Sequence, residues 1–174
     1  MGKKSMSNSS GVMVLGVALQ AFMAGIGSQN LIPLLEKYGF DGEIDDQSWY
    51  NRRDFLAMLQ EAVQSNPPIN LISIGLQAVR LVTFSPDIAS VEDALRSYDP
   101  TYRATHRNLP EGDGLEFERL NENTYLVIDR TPYPTDCSYG VVFGLVERYA
   151  PKGAHVSVHT EERDDHRVFR IVIR

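Results

Sequence analysis

The spacing of apolar residues changes partway along the chain. Up to about residue 110 they recur every three or four positions, as in helices that bury one stripe. Beyond that they alternate, as in strands with one buried face, except for one further helical stretch. Val12, Leu15, Leu19, Phe22 and Ile26 predict a helix over 12–26, and Val14, Val17, Ala18 and Ala21 make it apolar nearly all round. Such a helix is buried, in its own core or against a partner chain. Gly16, Gly25 and Gly27 each cost it about 1 kcal/mol relative to alanine, which close helix–helix approach would offset. Residues 30–39 read as a second helical stretch ended by Gly39. Asn51 to Asp54 supply the cap and first turn of a helix to Gln64, striped by Phe55, Leu56, Leu59 and Val63 and stopped by Asn66-Pro67-Pro68. Asn70 caps the next, with Leu71, Ile74, Val79 and Val82 inward. Ser90 and Asp93 have capping-box spacing before Val91, Ala94, Leu95, Tyr98 and Tyr102, and Asp99-Pro100 should kink or split that helix.

The alternating part begins at Leu115, Phe117 and Arg119, interleaved with Glu116 and Glu118. Asn121-Glu122-Asn123 turns the chain into a return strand, Thr124–Asp129, giving a hairpin. After the joint Thr131-Pro132-Tyr133-Pro134, a helix runs from Cys137 to about Tyr149 with Val141, Val142, Leu145 and Val146 inward, capped by Thr135 or Asp136. Two alternating segments, 155–159 and 168–173, follow around a charged turn. The predicted fold is α+β: an N-terminal helical layer on a four-stranded, mostly antiparallel sheet, with β-β-α-β-β order at the C-terminal end.

Residues 1–10 read as a disordered polar tail, and 11–174 as one domain. Lys3 and Lys4 before a short apolar run also have the look of a secretory signal peptide. Gln20 interrupts the run, no Ala-x-Ala site follows, and a second helical stretch continues it. These features favour a core helix and a cytoplasmic protein, with secretion the minority reading. The run is too short for a membrane span, which needs about 20 apolar residues. The net charge of -6 argues against nucleic-acid binding. The single cysteine excludes an internal disulfide and an all-cysteine metal cage.

Two segments resemble one superfamily, the small-molecule sensor domains related to heme-nitric-oxide-binding proteins, the 4-vinyl reductase domain and the TRAPP vesicle-tethering subunits. They are Val14–Phe22 leading to Leu34–Gly39, and Ser138–Tyr149 with Arg130-Thr-Pro-Tyr-Pro134 before it. The resemblance implies a pocket between helices and sheet for an apolar or planar molecule, a homodimer, and a separate output protein. It does not carry heme over. The Tyr-x-Ser-x-Arg propionate motif is absent, with Tyr102-Arg-Ala-Thr-His106 only a loose echo, and no position matches the proximal histidine. The cysteine-rich strand of the 4-vinyl reductase domain is also missing. Heme or another tetrapyrrole therefore stays open without a motif to support it.

No catalytic constellation stands out, and an enzyme is the less favoured reading. His155 and His159 share a strand face about 13 Å apart, too far to hold one metal. His166 sits in the charged turn and is expected to be exposed. Asp41, Glu43, Asp45 and Asp46 lack the glycine and terminal glutamate of a calcium loop. His106, with Tyr102 and Arg107 at a helix end, could ligate a heme or orient an acidic ligand, or have no special task. Cys137, beside Asp136 at a helix start, could be a reactive thiolate or a tetrapyrrole attachment point, or a small buried residue. Trp49, Tyr50, Tyr133 and Tyr139 are the aromatics expected at a pocket mouth, with plain packing as the alternative. The candidate ligand-binding set is thus Trp49, Tyr50, Tyr102, His106, Arg107, Tyr133, Asp136, Cys137 and Tyr139. Three functions follow: a non-enzymatic sensor, a dimeric interaction domain, or a tetrapyrrole-handling protein or small enzyme using Cys137 or His106.

Overall fold

The computed structural model describes residues 11–24, 26, 32–40, 44–65 and 70–174. Its elements run β1 (Met13–Leu15), α1 (Gly16–Met23), α2 (Ile32–Lys37), β2 (Trp49–Asn51), α3 (Arg52–Ser65), α4 (Leu71–Leu81), α5 (Val91–Arg96) and α6 (Tyr98–Ala104). Then come β3 (His106–Arg107), β4 (Leu115–Asn121), β5 (Thr124–Asp129), α7 (Thr135–Tyr149), β6 (Val156–Glu162) and β7 (Arg167–Ile173).

The α+β reading and the four-stranded antiparallel sheet hold; its order is β4-β5-β7-β6. Its inner face follows from register. Phe117 lies opposite Val127 and Val127 opposite Phe169, while Tyr125 pairs with Ile171 and Ile171 with Val158. Tyr125, Val127, Phe169 and Ile171 are buried. This face packs under α7, where Tyr139 meets Phe169 edge-on.

A second sheet was not read from the pattern. Met13–Leu15 is a strand, not the first turn of a helix, and pairs with β2 on one side and β3 on the other. Three-residue strands show too few alternations to stand out beside an apolar run. The predicted 12–26 helix therefore shortens to Gly16–Met23. Gly25 and Gly27 of that stretch, the Asn66-Pro67-Pro68 stop and the Asp41 and Glu43 positions lie outside the described residues.

Local signals explain the other boundaries. Asn51 Oδ1 accepts from Arg53 N at 2.9 Å, and Asn70 Oδ1 from Ile72 N and Ser73 N. The Ser90–Asp93 capping box is closed in both directions. The expected break falls at Ser97, between α5 and α6, and Pro100 sits in the first turn of α6, where a missing N–H costs nothing. One cap differs: α7 starts at Thr135 with Pro134 before it, and neither Thr135 nor Asp136 caps it with a side chain.

Helices α4 and α7 pack backbone to backbone through glycine. A Cβ on Gly75 would collide with the Cys137 carbonyl oxygen, and one on Gly140 with the Ile72 carbonyl oxygen. Two backbones meet there with no side chain between them. Gly140→Ala should therefore force α4 and α7 apart at a cost of about 1–3 kcal/mol, read as a lower unfolding midpoint. An unchanged midpoint would show that the helices slide freely.

Candidate functional site

A buried polar cluster lies where α3, α6, β3 and the 130–134 joint meet. Arg52 opens α3 on the same stripe as buried Phe55 and Leu59, three and seven residues on. Its Nη1 lies 2.7 Å from Asp113 Oδ2, with both side chains under one-tenth exposed. The same nitrogen donates to Tyr102 Oη at 2.6 Å, and Tyr102 Oη donates to Asp113 Oδ1 at 2.6 Å. The three groups close a triangle in which the charge is paired and the phenol has both a donor and an acceptor. Burial, then the hydrogen bond to Asp113, pushes the Tyr102 phenol well above its ordinary value.

Tyr102 also carries the cluster to His106. The two rings stack at 4.1 Å, and His106 Nδ1 lies 2.8 Å from the Tyr102 carbonyl oxygen. A carbonyl only accepts, so Nδ1 carries the proton. Nε2 is then the acceptor for the Tyr133 hydroxyl, 2.8 Å away. The neutral imidazole is thus satisfied at both nitrogens. Burial, chiefly, pushes its pKa down to about 4, with the nearby Arg52 charge adding to the fall.

Tyr133 completes a packed ring cluster. It stacks on Phe22 of α1 at 5.5 Å and meets Phe55 of α3 at 6.5 Å and Tyr102 at 6.4 Å. Phe22 and Phe55 are 5.9 Å apart. Tyr102 and His106, read together from the sequence, are therefore joined by Tyr133, which was read apart from them. Arg52 and Asp113 were missed. Arg52 had a signal, a cation on an apolar stripe; Asp113, in a Gly-Asp-Gly turn, had none.

A second ionic network was missed as well. Asp129 and Arg167 are directly paired across β5 and β7 on the inner face. Asp129 Oδ2 lies 2.9 Å from Arg167 Nη2, and Arg167 also donates to the Thr131 carbonyl oxygen at 2.9 Å. Thr131 N donates to Asp129 Oδ1 at 2.7 Å, which fixes the chain as it leaves β5 toward Tyr133.

The remaining candidates lie elsewhere. Trp49 and Arg107 stack as a cation–π pair at 3.7 Å on the small sheet, and Tyr50 packs against Phe40. Tyr139 lies between Phe143 and Phe169 under the large sheet. Asp136 is exposed. Cys137 is buried, and its thiol is pushed up to about 12 by burial, the reverse of the activation expected at a helix start. Burial thus works against the reactive-thiolate reading. Exposed His155 and His159 match the solvated sheet face, whereas His166 is half-buried against Asp165.

Two surface depressions flank Pro132. One is an apolar groove of about 350 Å³ lined by Leu56, Leu59, Gln60, Val63, Gln64, Leu71, Pro132 and Pro134. The other is open and polar, with Arg52, Asp113, Arg130 and Asp165 on its walls. Neither is lined by the inner face of the large sheet. Trp49, Tyr50 and Tyr139 line neither depression.

No protein-family model matches the chain, and no curated protein does. Solved structures do. An H-NOX protein from S. oneidensis in the Fe(II) ligation state superposes with a TM-score of 0.69 at 16% identity, covering 92% of this chain and 96% of that one. An Fe(II) unliganded H-NOX variant from K. algicida gives 0.67 at 13%, over 92% and 96%. An oxygen-binding H-NOX domain related to soluble guanylate cyclases gives 0.62 at 13%, over 91% of each chain. Heme, the group this fold implies, needs a planar slot and an unengaged ligand. The residues present do not fit it: Phe22, Phe55, Tyr102 and Tyr133 fill the junction, and both His106 nitrogens are engaged. The chain therefore shares the fold of these H-NOX structures, with aromatic rings packed at this junction.

Proposed function

We propose that this chain is a non-enzymatic sensory domain that binds a compact, mainly apolar molecule and signals through a separate partner protein. The observation that carries the proposal is the groove between α3, the start of α4 and the proline joint. Its volume of about 350 Å³ is within the range of small-molecule sites. Its walls are Leu56, Leu59, Val63, Leu71 and two prolines, with the Gln60 and Gln64 amides available to one polar end of a ligand. Pro132 and Pro134 bracket Tyr133, whose hydroxyl reaches His106. A ligand pressing on the prolines thus acts on the buried cluster without entering it.

The test uses 1-octanol, an apolar chain with one hydroxyl, followed by amide NMR. Shifts should be confined to Leu56, Gln60, Val63, Gln64 and Leu71, and Leu56→Gln should weaken binding at least about fivefold, the scale of one lost apolar contact. Shifts scattered over the surface, or unchanged by Leu56→Gln, would count against the groove.

The filled interior favours a second reading, a homodimeric interaction domain. It predicts a stable dimer by analytical ultracentrifugation and no response to octanol.

A further inference from the structure

We propose that the cluster of Phe22, Phe55, Tyr102, His106 and Tyr133 takes the structural place of a macrocycle, so that this H-NOX fold is complete without heme and rejects it. The rings come from four separate pieces of chain: α1, α3, the α6–β3 corner and the 130–134 joint. Those are the pieces a planar group at this junction would have to part. Tyr133 is central. It touches Phe22, Phe55, Tyr102 and His106, and its ring is buried.

Two polar features lock the cluster in place. Iron ligation by His106 Nε2 would first break the Tyr133 hydrogen bond. That would leave a buried phenol without its acceptor, a loss that the apolar rings around it cannot make good. Moving Tyr102 to widen the junction would break the Arg52–Asp113–Tyr102 triangle. Cys137 offers no open position either: it is buried at the start of α7, where its backbone packs on Gly75 of α4. The inference does not depend on the surface groove being a ligand site; it concerns the interior alone.

Purified chain, never exposed to added heme, should unfold cooperatively and show the strong near-ultraviolet circular dichroism of immobilised tyrosines. Hemin titration should give no stoichiometric Soret band that survives gel filtration in the presence of excess serum albumin, and no rise in the unfolding midpoint. Tyr133→Phe, which keeps the ring but frees His106 Nε2, should take up hemin more readily than the wild type and still lose it to albumin. A one-to-one Soret complex that survives the albumin challenge would overturn the proposal, whether or not His106→Ala abolishes it. So would a chain that acquires its near-ultraviolet signal only after hemin is added. Octanol binding at the groove has no bearing on these readouts, so the two proposals fail separately.

Discussion

Asp113→Ala should be among the most destabilising single changes, lowering the unfolding free energy by about 3–5 kcal/mol. The carboxylate balances Arg52 at 2.7 Å and accepts the Tyr102 hydroxyl at 2.6 Å, and both charged side chains are almost fully buried. Removing it leaves a guanidinium in the interior with only a phenol oxygen beside it. Urea unfolding with an unchanged denaturant slope is the measurement. The double variant Arg52→Met with Asp113→Leu should recover much of the loss, because a buried pair exchanged for apolar groups is close to neutral whereas half a pair is not. A loss below about 1 kcal/mol for Asp113→Ala would mean that water reaches the pair and that the triangle contributes as little as a surface bridge.

The same residues show which parts of the molecule could be read from the sequence. Alternation over five or six residues, at 115–119, 155–159 and 168–173, is long enough to define strands, and capping signals at Asn51, Asn70 and Ser90 define helix starts. The small sheet was hidden because its strands are two or three residues long and β1 sits against an apolar helix. The inner-face alternation of β5 and β7 does not stop at its last apolar residue. Tyr125 and Val127 continue to Asp129, and Ile171 and Phe169 continue back to Arg167. A carboxylate and a guanidinium at matching ends of two apolar faces are the mark of a buried cross-strand pair, and that mark was present in the sequence. The Arg52 signal was of the same kind. What a single sequence could not supply was the partner: Asp113 lies 61 positions from Arg52 in an unpatterned loop, and only the folded chain joins them. The packing around the predicted interior pocket was hidden for a related reason. Aromatics predicted for its mouth are counted one by one in a sequence, whereas Tyr102 and Tyr133 pack into one cluster with Phe22 and Phe55 and occupy the space themselves.

Stability should also fall steeply as the pH drops from about 6.5 to about 4, and His106 should be the cause. In the unfolded chain the imidazole takes a proton near its ordinary value of 6.5; in the folded chain it resists until about 4. Between those values the unfolded state binds more protons, so acidification favours it. The contribution is complete above pH 6.5 and is lost progressively below. The interval corresponds to about 3 kcal/mol. The surroundings account for the resistance. Nδ1 already donates to the Tyr102 carbonyl, so a second proton must go on Nε2, where the Tyr133 hydroxyl points its own hydrogen. Arg52 opposes the new charge and Asp113 favours it, but burial outweighs both. The carboxylates held low by their partners, Glu61, Asp93 and Asp165, act in the same direction but only nearer to and below their ordinary range. The stability difference between the wild type and His106→Gln, followed from pH 7 to 5, therefore isolates the imidazole. Its slope should be steep in the wild type and nearly flat in the variant, and the His106 ring protons should titrate near pH 4. Titration near 6.5 with matching slopes would show that the ring is solvated and that its bonds to Tyr102 and Tyr133 do not hold it neutral.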